Sequence, residues 1–175
     1  MATSKTSPRP QLRLVVDTDA DAFKDAMELA GKFLARRARS EREVRTKLVE
    51  ADFSTDVAER TIERLVELEL VDDHEFARQW IEDRVKRRGL GRRALIGELG
   101  GKGISRGVAE DVLAETDFDE AAQAVELAQG FARKVAHHPL EKQAAKILTM
   151  LARRGIDYDS AKAAVRAVLP PEGWD

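Results

Sequence analysis

Apolar residues recur at intervals of three and four along most of the chain, which is the spacing of one buried face on an α-helix. Phe76 and Trp80, for example, fall on one such stripe. Asp72 is placed to cap the start of this helix, and Gly89 can supply the left-handed residue that ends it. A strand-like pattern occurs only in a short segment at residues 12–16. The pattern therefore predicts an all-α fold.

The apolar pattern occurs three times, with successive shifts of about 51 and 52 residues along the chain. Each copy predicts two helices, a short turn and a third helix. The turn places Asp52, Gly103 and Gly155 just before an apolar residue, where a left-handed conformation is expected. Phe76 and Trp80 are also candidate partner-binding anchors, but a helical apolar stripe is more often core. The predicted core residues of the first two units are Val44, Leu48, Phe53, Phe76, Trp80, Leu95, Leu99 and Ile104.

The three copies predict an elongated array of tandem three-helix units. In the first unit, the first helix is expected over residues 21–37. Ser40 and Glu43 have the spacing of a capping box for the second helix. In the third unit, Asp117 or Asp119 is expected to start the first helix. The expected divisions of the chain are a mobile N-terminal tail at 1–20 and units at 21–71, 72–116 and 117–175, the last with a C-terminal tail.

Positive charge is concentrated at the connection between the first and second helices of each unit. Residues 84–106 hold eight basic residues and one acidic residue, although the whole chain has a net charge of −2. A basic stripe along a stacked array would fit an acidic or polyanionic partner. Basic residues also favour helix C-termini, which explains Arg87 and Arg88 but not Arg92 and Arg93 at a helix start. The candidate partner-binding residues are Arg36, Arg37, Arg39, Arg84, Arg87, Arg88, Arg92, Arg93 and Lys102.

Several classes of function find no support in the sequence. There is no cysteine, and His137 and His138 are adjacent without a carboxylate at ligand spacing, so neither a metal site nor another cofactor is predicted. The glycines of residues 89–103 lie between predicted helices, which argues against a phosphate loop. We therefore predict that the protein is not an enzyme and has no small-molecule substrate. No apolar run reaches the roughly 18 residues of a membrane span, so a cytoplasmic protein is expected.

Several short motifs occur together along the chain: Leu34 to Glu41, Val71-Asp72-Asp73, Phe76-Ala77, Trp80, Arg84, Gly89, Gly91, Glu98-Leu99 and Lys102-Gly103-Ile104. This combination resembles the RecX family of recombinase regulators, although Gly100-Gly101 and Ala94-Leu95 depart from the usual family residues. The resemblance implies an all-helical array of three repeats that binds the RecA recombinase filament. It also implies that the protein inhibits or modulates filament growth, ATP hydrolysis, strand exchange and coprotease activity, in recombination, DNA repair and the SOS response.

Direct binding to single- or double-stranded DNA is the alternative function. Paired helices joined by a short turn resemble helix-turn-helix modules. No unit carries a run of Asn, Gln and Arg at base-reading spacing on its last helix, so this alternative predicts binding without sequence specificity. Phosphate contacts would come from Arg87, Arg88, Arg92 and Arg93, and would weaken steeply with added salt.

Overall fold

The computed structural model of the protein describes residues 18–171. Over this part of the chain the regular structure is entirely α-helical, so the all-α prediction is confirmed. The helices are α1 (Thr18–Leu34), α2 (Glu41–Val49), α3 (Thr55–Glu67), α4 (Asp73–Arg88), α5 (Arg92–Gly101), α6 (Arg106–Glu115), α7 (Glu120–Val135), α8 (Leu140–Arg153) and α9 (Tyr158–Val168).

The helices form three consecutive units of three, as the repeated pattern predicts. Unit 1 contains α1 to α3, unit 2 contains α4 to α6 and unit 3 contains α7 to α9, and extensive helix packing occurs within each unit. Each unit has its own apolar core. Among the predicted core residues, Phe53 and Trp80 are only partly buried and pack against the edges of their cores. The fully buried ones are Val44, Leu48, Phe76, Leu95, Leu99 and Ile104.

Capping residues predicted from the sequence lie at several of the helix ends. Ser40 and Glu43 make the expected capping box at the start of α2. Asp72 accepts two backbone N–H groups at the start of α4, and Gly89 ends that helix with φ 58°. The turns before the third helices are left-handed in every unit, at Asp52, Gly103 and Gly155. Asp119, rather than Asp117, caps α7, and Pro139 is the N-cap of α8.

The bounds expected for the first helix are wrong by three residues at each end. It begins at Thr18, so residues 18–20 belong to α1 and not to a tail. Asp19 lies in its first turn, where the helix dipole favours a carboxylate, and it also pairs with Arg60 on α3. The helix ends at Leu34, and Arg37 beyond its end pairs with Glu43. The strand-like segment at 12–16 lies outside the described residues.

The joint between units 1 and 2 is made by the start of α2 and the end of α5. The Ser40 hydroxyl donates a hydrogen bond to the carbonyl oxygen of Lys102 at 2.7 Å. The backbone N–H of Glu41 donates to the carboxylate of Asp73 at 2.9 Å. Asp73 begins α4, so the first turn of α2 is capped partly by a residue of the next unit.

The joint between units 2 and 3 repeats this arrangement with different residues. The backbone N–H of Gly91 donates to the carbonyl oxygen of Arg154 at 2.8 Å. The N–H of Arg92 donates to the carboxylate of Glu120 at 2.6 Å. Gly91 has no side chain to cap α5, so the cap comes from unit 3. The second helix of each preceding unit therefore docks on its successor in the same way.

Two left-handed glycines allow the units to approach closely at these joints. A side-chain carbon at Gly103 would overlap the side chain of Arg42 in unit 1. At Gly155 it would lie 2.5 Å from the Cβ of Ala94 in unit 2. Both positions need glycine for their positive φ as well as for this contact. The joints thus fix each unit against its neighbour over a small area.

Candidate partner-binding surface

Trp80 lies at the centre of a group of charged side chains on unit 2. Its indole N–H donates to the carboxylate of Glu98 at 3.1 Å. The guanidinium of Arg84 lies 3.9 Å from the centre of the Trp80 ring and donates to Glu98 at 2.8 Å. The ammonium of Lys102 is 5.1 Å from the same ring. Cation–π contacts of this kind hold both cations in place beside the indole.

The group continues in both directions along the molecule. Lys102 pairs with Glu43 of unit 1 at 3.1 Å, and Arg37 pairs with the same carboxylate at 2.9 Å. At the other end, Arg88 pairs with Glu98 at 2.7 Å. We call this connected set the joint strip; it consists of Arg37, Glu43, Lys102, Trp80, Arg84, Glu98 and Arg88.

The two carboxylates of the joint strip are held in their charged forms. Burial alone would raise the pKa of Glu43, but hydrogen bonds from Arg37 and Lys102 outweigh it and lower the pKa to about 2. Burial likewise opposes the charged form of Glu98, and the hydrogen bond and charge of Arg84, together with Arg88, lower its pKa overall. The strip therefore keeps alternating charges at neutral pH.

Several of the predicted partner-binding residues are occupied within the molecule. Arg84 and Lys102 are held in the joint strip, as is Arg37. Arg39 is half-buried with its guanidinium 3.9 Å from the centre of the Phe33 ring. These side chains shape the surface and are less available than their charge in the sequence indicates.

The remaining candidates are exposed. The side chains of Arg87 and Arg88 are 77% and 55% exposed, although each pairs with a carboxylate. Arg93 is exposed and donates to the carbonyl oxygen of Ala152 across the second joint. Arg36 and Arg92 are exposed and form no ion pair with a carboxylate in the part of the chain that the structure describes. The side chains of these five arginines are accessible to a partner.

The sequence predicts no role for Arg42 or Glu120, and for Arg93 it predicts only partner binding. In the structure, Arg42 donates to the carbonyl oxygen of Gly101 at 3.1 Å, and Arg93 donates to that of Ala152 at 3.1 Å. The shift of about 51 residues between repeats aligns Arg42 with Arg93. This alignment was the feature of the sequence from which a common role for the two residues could have been predicted.

Between residues 18 and 171, no group of three His, Asp or Glu side chains is arranged to hold a metal ion. The rings of His137 and His138 contact each other with their centroids 3.9 Å apart. None of the helices in this range has the length and apolar character needed to span a bilayer.

Comparison with known proteins identifies the family. Models of the first and second three-helix domains of RecX match residues 26–65 and 72–113. The regulatory protein RecX of Mycobacterium sp. strain JLS is 33% identical over 176 residues, spanning 98% of this chain and 93% of that protein. The chain belongs to the RecX family of regulatory proteins. RecX of Mycolicibacterium smegmatis is 34% identical over 148 residues, which span 81% of this chain and 78% of that protein.

Solved RecX structures share the fold. The crystal structure of RecX from Lactobacillus salivarius aligns with a TM-score of 0.80 at 24% identity, over 85% of this chain and 97% of that one. A second RecX crystal structure aligns with a TM-score of 0.76. The two RecX domain matches include Ser40, Glu43, Gly91 and Lys102, so both sides of the first joint lie inside the family regions.

Proposed function

We propose that this RecX-family protein binds the RecA recombinase filament and restrains its growth, ATP hydrolysis, strand exchange and coprotease activity. Membership of a family of regulatory proteins supports a regulatory role. The observation that carries the proposal is the group of exposed arginines at the end of the joint strip, beside the second joint: Arg87, Arg88, Arg92 and Arg93.

A regular filament suits this surface because neighbouring filament subunits repeat the same features at fixed intervals. The two joints hold the units in a defined order, so their cations meet such a target together. Several weak contacts made at once give an affinity much greater than any of them alone. A single globular partner would contact fewer units.

The cations of unit 3 adjoin the same surface. The guanidinium of Arg154 hydrogen-bonds the backbone carbonyl oxygen of Arg88, where the joint strip ends. Arg93 reaches back to the carbonyl oxygen of Ala152 in the same region. Basic side chains of all three units are thereby available to one extended partner.

Direct phosphate binding is a second candidate function, favoured by the exposed arginines at the start of α5. Arg92 and Arg93 are both exposed in the first turn of α5, where their guanidinium groups can reach a phosphate although Glu120 already caps the helix. Base stacking has less support, because Arg84 covers one face of Trp80, the partly buried aromatic of the strip. Phosphate contacts would be independent of sequence and sensitive to salt.

The test is co-sedimentation with RecA filaments assembled on single-stranded DNA. Charge reversal at Arg87, Arg88, Arg92 and Arg93 should reduce the bound fraction by about tenfold or more while the helical circular dichroism signal is unchanged. The matched control reverses the same number of charges at exposed sites away from the strip and from α5, namely Lys24, Lys32, Arg64 and Lys142.

Undiminished binding by the first variant would remove the exposed arginines from the mechanism. An equal loss of filament binding by both variants would indicate that binding depends on the overall charge of the protein and not on these four arginines. Parallel titrations of naked DNA separate the two candidate functions, because a phosphate-binding protein loses affinity for DNA and for the filament together.

A further inference from the structure

A groove of about 720 Å³ lies where the end of α4 meets α7, between units 2 and 3. Its lining includes the apolar side chains of Val85, Phe118 and Leu127. Phe118 is partly buried and packs on the core of unit 2, and Leu127 packs on that of unit 3. The basic side chains along the groove are Lys86, Arg87, Arg88, Arg133, Lys134 and Arg154.

Positive charge exceeds negative charge along this groove. Its lining has six basic side chains and only three acidic ones, Asp117, Asp119 and Glu126. Asp119 is already engaged, because it accepts the backbone N–H of Ala122 at the start of α7. The groove therefore offers a net positive environment to whatever enters it.

Four of the six groove cations lack a counter-ion among the described residues. Arg87 and Arg88 pair with acidic residues, and Arg154 donates to a carbonyl oxygen. Within residues 18–171, Lys86, Arg133 and Lys134 form no ion pair with a carboxylate. Lys134 instead lies 5.7 Å from the centre of the Phe131 ring.

Gly130 lies in the lining of the groove, inside α7, where glycine costs about 1 kcal/mol relative to alanine. Its backbone is helical and needs no special φ, and a side-chain carbon built there would meet nothing within 4 Å. A longer side chain at this position therefore has room to extend into the groove without displacing its neighbours.

We propose that this groove docks an acidic protein segment that also carries apolar side chains. The cations would bind its carboxylates, while Val85 and Leu127 would contact its apolar residues. A nucleic-acid backbone would use the cations but gain little from the apolar lining. The proposal rests on the proposed function in one respect: the filament is taken as the source of the segment.

The test closes the groove with a side chain and leaves the charges unchanged. Gly130→Met places a long apolar side chain in the groove. Gly31→Met is the matched control, since Gly31 is also a helical glycine with nothing within 4 Å of an added carbon, but lies in α1. Both variants should fold, because methionine favours helix more than glycine does.

Three probes are compared at one salt concentration. They are RecA filaments on single-stranded DNA, the same DNA without protein, and a labelled 14-residue peptide with Glu and Leu at helical spacing. Gly130→Met should lose about tenfold or more in affinity for the filament and for the peptide, and Gly31→Met should match the unmodified protein. DNA affinity should not change.

The outcomes separate the groove from the proposed function. Peptide binding that Gly130→Met abolishes supports the groove even if filaments are not bound, in which case only the proposed function fails. Equal filament binding by all three proteins would support the proposed function but contradict docking in the groove. Failure of the unmodified protein to bind the peptide would also contradict docking in the groove. A parallel loss of DNA and peptide binding would assign the groove to nucleic acid and overturn the proposal.

Discussion

Glu43 connects two units, and its replacement by glutamine should weaken their joint measurably. Its carboxylate accepts hydrogen bonds from Arg37 at 2.9 Å and from Lys102 at 3.1 Å. Its side chain is only 18% exposed, so solvent screens these pairs weakly. Glutamine keeps the size of the side chain and one acceptor oxygen but removes the charge, which leaves two partly shielded cations without their counter-ion.

The size of the effect follows from the pKa of Glu43. A pKa lowered from 4.5 to about 2 means that folding favours the charged form. At about 1.4 kcal/mol for each pKa unit, the charge stabilises the folded state by on the order of 3 kcal/mol. Because glutamine retains part of the hydrogen bonding, we expect Glu43→Gln to cost about 2 kcal/mol at pH 7.

The effect should depend on pH in a defined direction. Since the pKa is lower in the folded state, the stabilisation is fully present above about pH 4.5 and is lost as the pH falls toward 2. The difference between the unmodified protein and Glu43→Gln should therefore shrink by more than half between pH 7 and pH 3. The free energy of unfolding is measured by urea denaturation, followed by circular dichroism.

Glu28→Gln is the control for this experiment. Glu28 also pairs with a lysine in a helix, but its side chain is 62% exposed and the pair lies within α1. Its replacement should leave the urea midpoint almost unchanged. A loss at Glu43 that is equal at pH 7 and pH 3, or that is no larger than at Glu28, would refute the assignment of Glu43 as a charged link between units.

Three further substitutions test the joints and the strip. Gly103→Ala should cost about 2 kcal/mol or more in urea denaturation, because alanine opposes its φ of 89° and overlaps Arg42. Gly97→Ala, with open space around it, should instead stabilise the protein by about 0.5–1 kcal/mol; effects of the same sign at both glycines would contradict this account. Trp80→Ala should cost about 2–3 kcal/mol, since the ring is partly buried and holds Arg84; an unaltered denaturation curve would show that it contributes no packing.

Local signals in the sequence were sufficient for most of the helical architecture. The helix stripes, the capping box at Ser40 and the left-handed turn at Asp52 each depend on residues only a few positions apart. The repeated shift of the apolar pattern extended these local predictions to three units. Contacts within one helix or turn are the ones that residue spacing encodes directly.

The ion pairs that the cations form within the molecule could not be predicted from residue spacing in the same way. Lys102 meets Glu43 across 59 residues of chain, and Arg84 meets Glu98 across 14. A count of net charge along a segment does not show which of these side chains are already paired with a carboxylate. The packing of α4 against α5 brings Arg84 to Glu98, and the joint between units 1 and 2 brings Lys102 to Glu43.

Unit 1 differs from units 2 and 3 at its left-handed turn. The left-handed residues that receive a preceding unit are Gly103 and Gly155, which lack a side chain. The equivalent residue of unit 1 is Asp52, which is exposed. In units 2 and 3, an aspartate side chain at this position would overlap the unit docked there.

We propose that cations of all three units, held in fixed relative positions, bind a RecA filament together. The most direct test measures ATP hydrolysis by RecA on single-stranded DNA while the protein is added, with the DNA in excess over both proteins. We expect inhibition at far less than one molecule per RecA subunit, and little inhibition by the variant with four reversed arginines. Inhibition that appears only when enough protein is present to cover the DNA would contradict filament binding and indicate competition for the nucleic acid.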